Sequence, residues 1–141
     1  MSLHKVITTW AGQLAFDSRI NNHTIRIDGE HTPKTDTGPG PKSLLLTSLT
    51  GCSAIDVVMI LQKMRIQFDE LAVEAVAPLT EEHPKVYTEI RLTFKVAGKN
   101  IREEKVRQAV ELSIHKYCGV AAMLSKHCPI HYAIEIADSV V

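Results

Sequence analysis

The hydrophobic residues of this 141-residue chain follow two different periods. Alternation with polar residues, which is typical of half-buried strands, occurs near both ends and in the middle, and helical spacing occurs between these segments. The segments before residue 29 predict a two- or three-stranded antiparallel meander, and two later segments predict a hairpin. In chain order, the patterns predict strands within 3–10, 13–18 and 24–28, a helix over 41–65, strands over 71–77 and 85–97, helices over 101–117 and 120–127, and a strand over 131–137.

The helix predicted from the stretch 39–65 is the most apolar part of the chain. Its leucines, isoleucines and valines cover most of the helix circumference, so we expect it to be buried on nearly all sides. Charged and amide residues interrupt the run short of the roughly 20 apolar residues that a membrane span needs, so we expect no membrane segment. One narrow polar seam remains, on which Ser48, Cys52, Asp56 and Lys63 fall on nearly the same face. A buried helix with a thiol on its polar seam predicts one wall of a reactive pocket.

Two further segments of the chain carry local signals. The loop over 29–41 is rich in Gly, Pro and Thr, and long loops in compact domains are often functional. Asn100 is the predicted N-cap of the helix over 101–117, because an asparagine side chain can accept hydrogen bonds from the first N–H groups of a helix. Cys118 and Gly119 interrupt the pattern that follows. We therefore expect two separate helices, with Cys118 at the junction.

Composition limits the class of protein. The length predicts a single domain over 1–141 with a core of its own. Lys and Arg together equal Asp and Glu in number, so no net charge attracts nucleic acid or an anionic membrane, and neither is an expected partner. The first ten residues lack the apolar segment of a signal peptide, and three cysteines are too few for a disulfide-stapled scaffold. We expect a cytoplasmic protein with reduced or redox-cycling thiols.

Cys52 has two interpretations. Free cysteine is among the most buried residue types, so it can be a small hydrophobic core residue. It can also be a reactive thiolate, which requires a lowered pKa. Cys52 lies too deep in the helix for the helix dipole to help, and a charged Asp56 would oppose ionisation. Activation would have to come from a partner chain or from one of the cations of the N-terminal region, namely Arg19, Arg26, Lys34 and Lys42.

The other two cysteines differ in context. Cys118 precedes the second of the two helices, whose dipole would stabilise a thiolate there, or it is simply packed in the core. Cys128 is interpreted as structural or surface-exposed. Five residues of types that bind metals lie in one short segment: His115, Cys118, His127, Cys128 and His131. These residues lack the paired short spacings of zinc sites, so we expect neither a metal nor a cofactor.

Two motifs identify a family resemblance. The segments GPGPKSLLLTSLTGCSAIDVV and HKYCGVAAML resemble the central-helix and second-cysteine motifs of the OsmC/Ohr family of osmotically inducible and organic-hydroperoxide-resistance proteins. With the order of the elements, the resemblance covers essentially the whole chain. It implies an α+β fold in an intertwined homodimer, in which long central helices pack against sheets and the two active sites lie at the interface.

The resemblance also implies a thiol peroxidase reaction. Cys52 would be the peroxidatic residue that attacks a small hydrophobic hydroperoxide, and Cys118 the resolving residue that forms a disulfide with it. An external dithiol would then reduce the disulfide. The peroxidases of the family carry a glutamate ten residues before the first cysteine, and this chain has Lys42 there. Arg19 and Arg26 are the candidates for the arginine that the family pairs with this glutamate.

A second function remains open beside the peroxidase. The same apolar pocket at a dimer interface would suit a non-catalytic module that binds a hydrophobic ligand or senses redox state. In both cases the residues expected to activate the thiol or line the pocket are Arg19, Arg26, Lys42, Ser48 and Asp56.

Overall fold

The computed structural model of the protein describes residues 2–29 and 36–138. Its elements are β1 Val6–Trp10, β2 Ala15–Ile20, β3 His23–Asp28, α1 Pro41–Lys63, β4 Glu70–Val76, β5 Ile90–Ala97, α2 Glu103–Leu112, a π-helical turn Ser113–Tyr117, α3 Gly119–Leu124 and β6 Ile130–Ala137. The predicted order of strands and helices and the α+β class are confirmed. The chain forms two compact units, residues 1–46 and 47–141. The single domain stays a prediction.

The first unit contains the antiparallel sheet β1-β2-β3, which confirms the meander with three strands. Asn21 adopts a φ of 54° in the tight turn between Ile20 and His23, which are partners in the ladder. Asparagine tolerates this left-handed conformation, which two-residue hairpin loops require. The short loop therefore sets the register in which β2 and β3 pair.

The described end of the predicted loop is attached to β3. Buried Asp28 accepts hydrogen bonds from the backbone N–H and the hydroxyl of Thr37, and its own N–H donates to the carbonyl of Pro39. Gly38 passes so close to β3 that a Cβ there would lie 2.5 Å from the carbonyl oxygen of Arg26. Residues 30–35 of the predicted loop, with Lys34, lie outside the described residues.

The second unit contains the sheet β4-β5-β6. The strands β4 and β5 pair antiparallel, as the predicted hairpin requires, and β6 joins β5 in parallel. The core face of β5 is fully buried and consists of Ile90, Leu92, Phe94 and Val96. The helix α2 packs against β6 and contributes Val106, Ala109 and Val110 to the same core.

Two boundaries differ from the prediction. The strand predicted over 85–97 begins only at Ile90, because the preceding residues pair locally with the segment after β4, through a bridge between Leu79 and Tyr87. The helix predicted over 101–117 is α only from Glu103, with Arg102 as its N-cap, and becomes the π-helical turn after Leu112. Asn100 is not the N-cap and instead adopts a φ of 56°. Asparagine is one of the few residues that adopts this conformation readily.

The helix α1 is less buried in the single chain than its sequence predicts. Its fully buried residues, Leu49, Ser53, Val57 and Leu61, form one stripe at intervals of four residues, while Ile55 and Met59 are 63% and 53% exposed. The expectation of burial on nearly all sides is therefore wrong for the single chain. By length and composition alone α1 is long and apolar enough to cross a membrane, but one such helix is weak evidence for a span, since core helices of soluble proteins pass the same test. The absence of a membrane segment stays a prediction.

Candidate functional site

The helix α1 presents Cys52 and Asp56 on one face, one turn apart, as helical spacing dictates. Both side chains are half-buried, so they lie at the boundary between the buried stripe of α1 and its exposed side. The thiol is therefore accessible without being fully solvated. The prediction that Cys52 and Asp56 lie on the same face of the helix is confirmed.

Cys118 enters the site from a second element. The π-helical turn ends at Tyr117, and Cys118 follows with an extended backbone and caps the N-terminus of α3. The backbone N–H of Ala121 donates a hydrogen bond to the Cys118 sulfur over 3.3 Å. The predicted helix junction and the capping role of Cys118 are confirmed. A π-helical segment leaves the regular helical path, and such segments are frequent at functional sites.

The fold brings the two cysteines and the aspartate together. The two Sγ atoms and a carboxylate oxygen of Asp56 all lie within 4.8 Å of one another. Cys52 and Cys118 are 66 residues apart in the chain, so only the packing of the π-helical turn and α3 beside α1 creates this cluster. We call these three residues the thiol cluster.

The two thiols of the cluster are not equivalent. Burial raises the pKa of Cys118 to about 11, and its hydrogen bond with Cys52 acts in the same direction. The charges of Cys52 and Asp56 raise the pKa further, while the N–H of Ala121 lowers it. Of the two interpretations of Cys118, the structure therefore favours the cysteine packed in the core over the thiolate stabilised by the helix start. Cys118 is only 3% exposed, and desolvation of the charged sulfur outweighs one N–H donor.

Ser113 is the residue of the site that sequence reasoning missed. Its hydroxyl donates a hydrogen bond to Oδ2 of Asp56 over 2.9 Å and lies 3.5 Å from the carbonyl oxygen of Ser53. Ser113 is fully buried, so this hydroxyl holds the Asp56 carboxylate in one orientation. The signal was present in the sequence, because Ser113 is a polar residue on the apolar stripe of α2 and its extension.

A cavity of about 420 Å³ opens beside the thiol cluster. Asp56 and Lys63 contribute its charged groups, and the remaining lining is largely apolar: Met59, Ile60, Leu112 and Tyr117. Its size is in the range of small-molecule pockets. The cavity gives a small molecule with an apolar part a path to the carboxylate of the cluster.

The other predicted site residues lie at several places. Ser48 is exposed on α1, one turn before Cys52. Arg19 lies on β2 and Lys42 at the start of α1, both exposed. Arg26 lies on β3, where its Nε donates to Oδ1 of Asp17 over 2.6 Å; this bond and the charge of Arg26 lower the pKa of the Asp17 carboxyl.

The histidines of the segment 115–131 do not form a metal site. Among the residues that the structure describes, the thiol cluster is the group of His, Cys, Asp or Glu side chains whose geometry could hold an ion, and it contains no histidine. His115 instead pairs with Glu111, and His127 contacts the carbonyl of Tyr87. Cys128 is 7% exposed, and burial raises its pKa, which agrees with a structural role.

Comparisons with known proteins agree on one family. A family profile described as OsmC-like protein matches residues 33–133. Protein YhfA of Escherichia coli strain K12 is 38% identical over 128 residues, which cover 90% of this chain and 93% of the relative.

Solved structures show the same fold. A hypothetical protein from Aquifex aeolicus VF5 superposes with a TM-score of 0.88 at 29% identity, over 99% of this chain and all of the other. The OsmC like protein from Mycoplasma pneumoniae has a TM-score of 0.84 at 13% identity, with 96% and 98% of the two chains covered. The organic hydroperoxide resistance protein OhrB of Bacillus subtilis has a TM-score of 0.64 at 16% identity, with 96% and 98% covered.

Proposed function

Since this chain belongs to the OsmC-like protein family, we propose that it is a thiol-dependent peroxidase that reduces small organic hydroperoxides through Cys52 and Cys118. The observation that carries the proposal is the meeting of two sulfur atoms, 66 residues apart in the chain, within 4.8 Å. The name of the Bacillus subtilis protein of the same fold supplies the substrate class.

The difference between the thiols supports the order of events. A Cys118 pKa of about 11 keeps this thiol protonated at neutral pH, so it is unsuited to the first attack. Half-buried Cys52 is the accessible partner. Its thiolate attacks the distal oxygen of the hydroperoxide and breaks the O–O bond, which leaves a sulfenic acid on Cys52 and an alkoxide that takes a proton and departs as an alcohol.

The second half of the cycle uses Cys118. Its sulfur loses a proton and attacks the Cys52 sulfur, so that water leaves and a disulfide forms. An S–S bond is about 2.05 Å long, so the two sulfurs must approach each other from their present separation. The π-helical turn and the exposed Gly119 flank Cys118 and are suited to this small movement. An external dithiol then reduces the disulfide and is itself oxidised to a disulfide.

The proposal includes a cytoplasmic homodimer, the typical assembly of this family. The apolar residues Ile55 and Met59 on the exposed side of α1 support it, since a soluble monomer rarely exposes a large apolar patch. Burying this side against a second copy would complete the burial of α1 that its sequence predicts. Arg19, Arg26 and Lys42 remain the candidates for a cation that activates Cys52.

The test is turnover of cumene hydroperoxide by pure protein with an excess of a dithiol, followed by loss of peroxide. The wild type and Cys128→Ser should turn over equally, and Cys52→Ser should be inactive. In the absence of the dithiol, Cys118→Ser should consume one equivalent of peroxide per chain and stop at the Cys52 sulfenic acid, whereas the wild type should stop at the Cys52–Cys118 disulfide. Equal rates for wild type and Cys52→Ser would refute the peroxidase.

The cavity favours one second candidate, a module that binds a hydrophobic ligand or senses redox state without turnover. Its largely apolar lining over about 420 Å³ would hold a small ligand beside Asp56 of the thiol cluster. An apolar fluorescent probe that binds the wild type and Cys52→Ser with equal affinity would support this function over the first, provided that neither protein consumes peroxide.

A further inference from the structure

The thiol cluster has the ligand atoms of a site for a soft metal ion. We propose that the reduced protein binds one thiophilic divalent cation, of which Zn²⁺ and Cd²⁺ are the representatives, through Cys52, Asp56 and Cys118. Two sulfurs and one carboxylate oxygen form a donor set that favours such ions over Mg²⁺ or Ca²⁺, which prefer oxygen ligands alone. The proposal does not depend on the peroxidase reaction.

The distances fit the coordination of zinc. Tetrahedral zinc with bonds of about 2.3 Å to sulfur and about 2.1 Å to oxygen holds its ligand atoms roughly 3.5–3.8 Å apart. The three atoms of the cluster already lie within 4.8 Å of one another. Contraction of about 1 Å, which rotation of side chains supplies, is therefore enough to bring them around one ion.

The residues around the cluster orient its ligands. Cys52 and Asp56 stand one turn apart on α1, the same spacing by which paired ligands on one helix reach a common ion. The Ser113 hydroxyl holds Oδ2 of Asp56 over 2.9 Å, and the Ala121 N–H donates to the Cys118 sulfur. Hydrogen bonds of this kind, from groups behind the ligands, fix ligand orientation in metal sites.

The cavity supplies the path and the remaining coordination position. Asp56 lines the cavity of about 420 Å³, so an ion can enter from this side. The three protein ligands leave the fourth tetrahedral position for water. On binding, the thiols of Cys52 and Cys118 release their protons to the buffer, and no oxidation occurs. The bound ion occupies both sulfurs, so the metal-bound form is protected from alkylation and from disulfide formation.

The test is a titration of the full-length protein, reduced with a phosphine, freed of metal and transferred to a buffer without thiols. Addition of Cd²⁺ should produce thiolate-to-cadmium charge-transfer absorption that saturates at one ion per chain, and an excess of Zn²⁺ should compete for the site and reduce this absorption. Cys52→Ser or Cys118→Ser should weaken binding by at least about 100-fold, and Asp56→Asn by about 10–100-fold. Cys128→Ser is the matched control, because it removes a buried thiol outside the cluster, and should bind as the wild type does.

A second measurement uses the wild type, so the proposal can be tested even if the ligand variants fold poorly. In the wild type, Zn²⁺ at about 100 times its dissociation constant should raise the melting temperature by about 5–10 °C and slow alkylation of Cys52. Ser113→Ala, which leaves all three ligands in place, should weaken binding about 10-fold.

Three results would overturn the inference: no charge-transfer band in the reduced wild type, Asp56→Asn binding within twofold of wild type, or loss of binding in Cys128→Ser. Failure of the peroxidase is distinguishable, because peroxide turnover is measured with a chelator present and the metal titration without peroxide.

Discussion

The raised pKa of Cys118 makes the stability of the protein depend on pH in the alkaline range. The pKa is about 11 in the folded chain against an ordinary value of 9.0, which unfolding restores by exposing the thiol to water. Between these values the unfolded state gives up the proton and the folded state keeps it, so rising pH favours unfolding. The contribution is absent below pH 9 and grows until about pH 11.

The size of the effect follows from the shift. The difference between 9.0 and about 11 is about two units. At about 1.4 kcal/mol per unit, the free energy of unfolding should fall by about 2–3 kcal/mol from this group alone. Cys118→Ser is the matched perturbation, because its hydroxyl does not titrate in this range and can still accept the hydrogen bond from the Ala121 N–H. Both proteins should carry Cys128→Ala, since burial also raises the pKa of Cys128.

The assay is urea unfolding under reducing conditions at intervals from pH 8 to pH 11. The difference in unfolding free energy between the two proteins should change by about 2–3 kcal/mol over this range, in favour of Cys118→Ser at high pH. Tyr87 and Tyr132, whose pKa values burial also raises, are present in both proteins and cancel. Parallel curves would refute the claim that the folded protein holds the Cys118 proton more tightly than the unfolded chain does.

Three further results are expected. Gly38→Ala should destabilise the protein by about 1–3 kcal/mol in thermal unfolding, because the added methyl meets the Arg26 carbonyl, while Gly119→Ala, which has open space, should change stability by less than about 1 kcal/mol. Asp17→Asn should lower the melting temperature at pH 6, and this loss should shrink as the pH falls below 3.8, because the lowered pKa means that the contribution disappears as the pH falls through the folded value; a loss that stays the same down to the acid end of the series would contradict this. Ile55→Arg should convert the proposed dimer to monomer in sedimentation velocity, and an unchanged dimer would place the interface elsewhere.

The sequence by itself determined the order of the elements and the local part of the site. Period-two and helical patterns depend on neighbouring residues, so they located the meander, α1, the hairpin and the helix break at Cys118. The spacing of Cys52 and Asp56 determined that they share one helix face, since this is a property of the helix alone. The two cysteine motifs identified the family before any distance was known.

The tertiary structure decided what depends on packing between distant segments. The contact of Cys118 with Cys52 and the hydrogen bond from Ser113 to Asp56 join residues more than 50 positions apart, which no local period encodes. Burial decided between the two interpretations of Cys118 and gave a thiol with a raised pKa, because desolvation depends on what surrounds the sulfur and not on its place in the chain. Packing likewise decided that α1 buries only one stripe of residues within a single chain. The sequence shows which residues of the helix are apolar, but not which of them other elements cover.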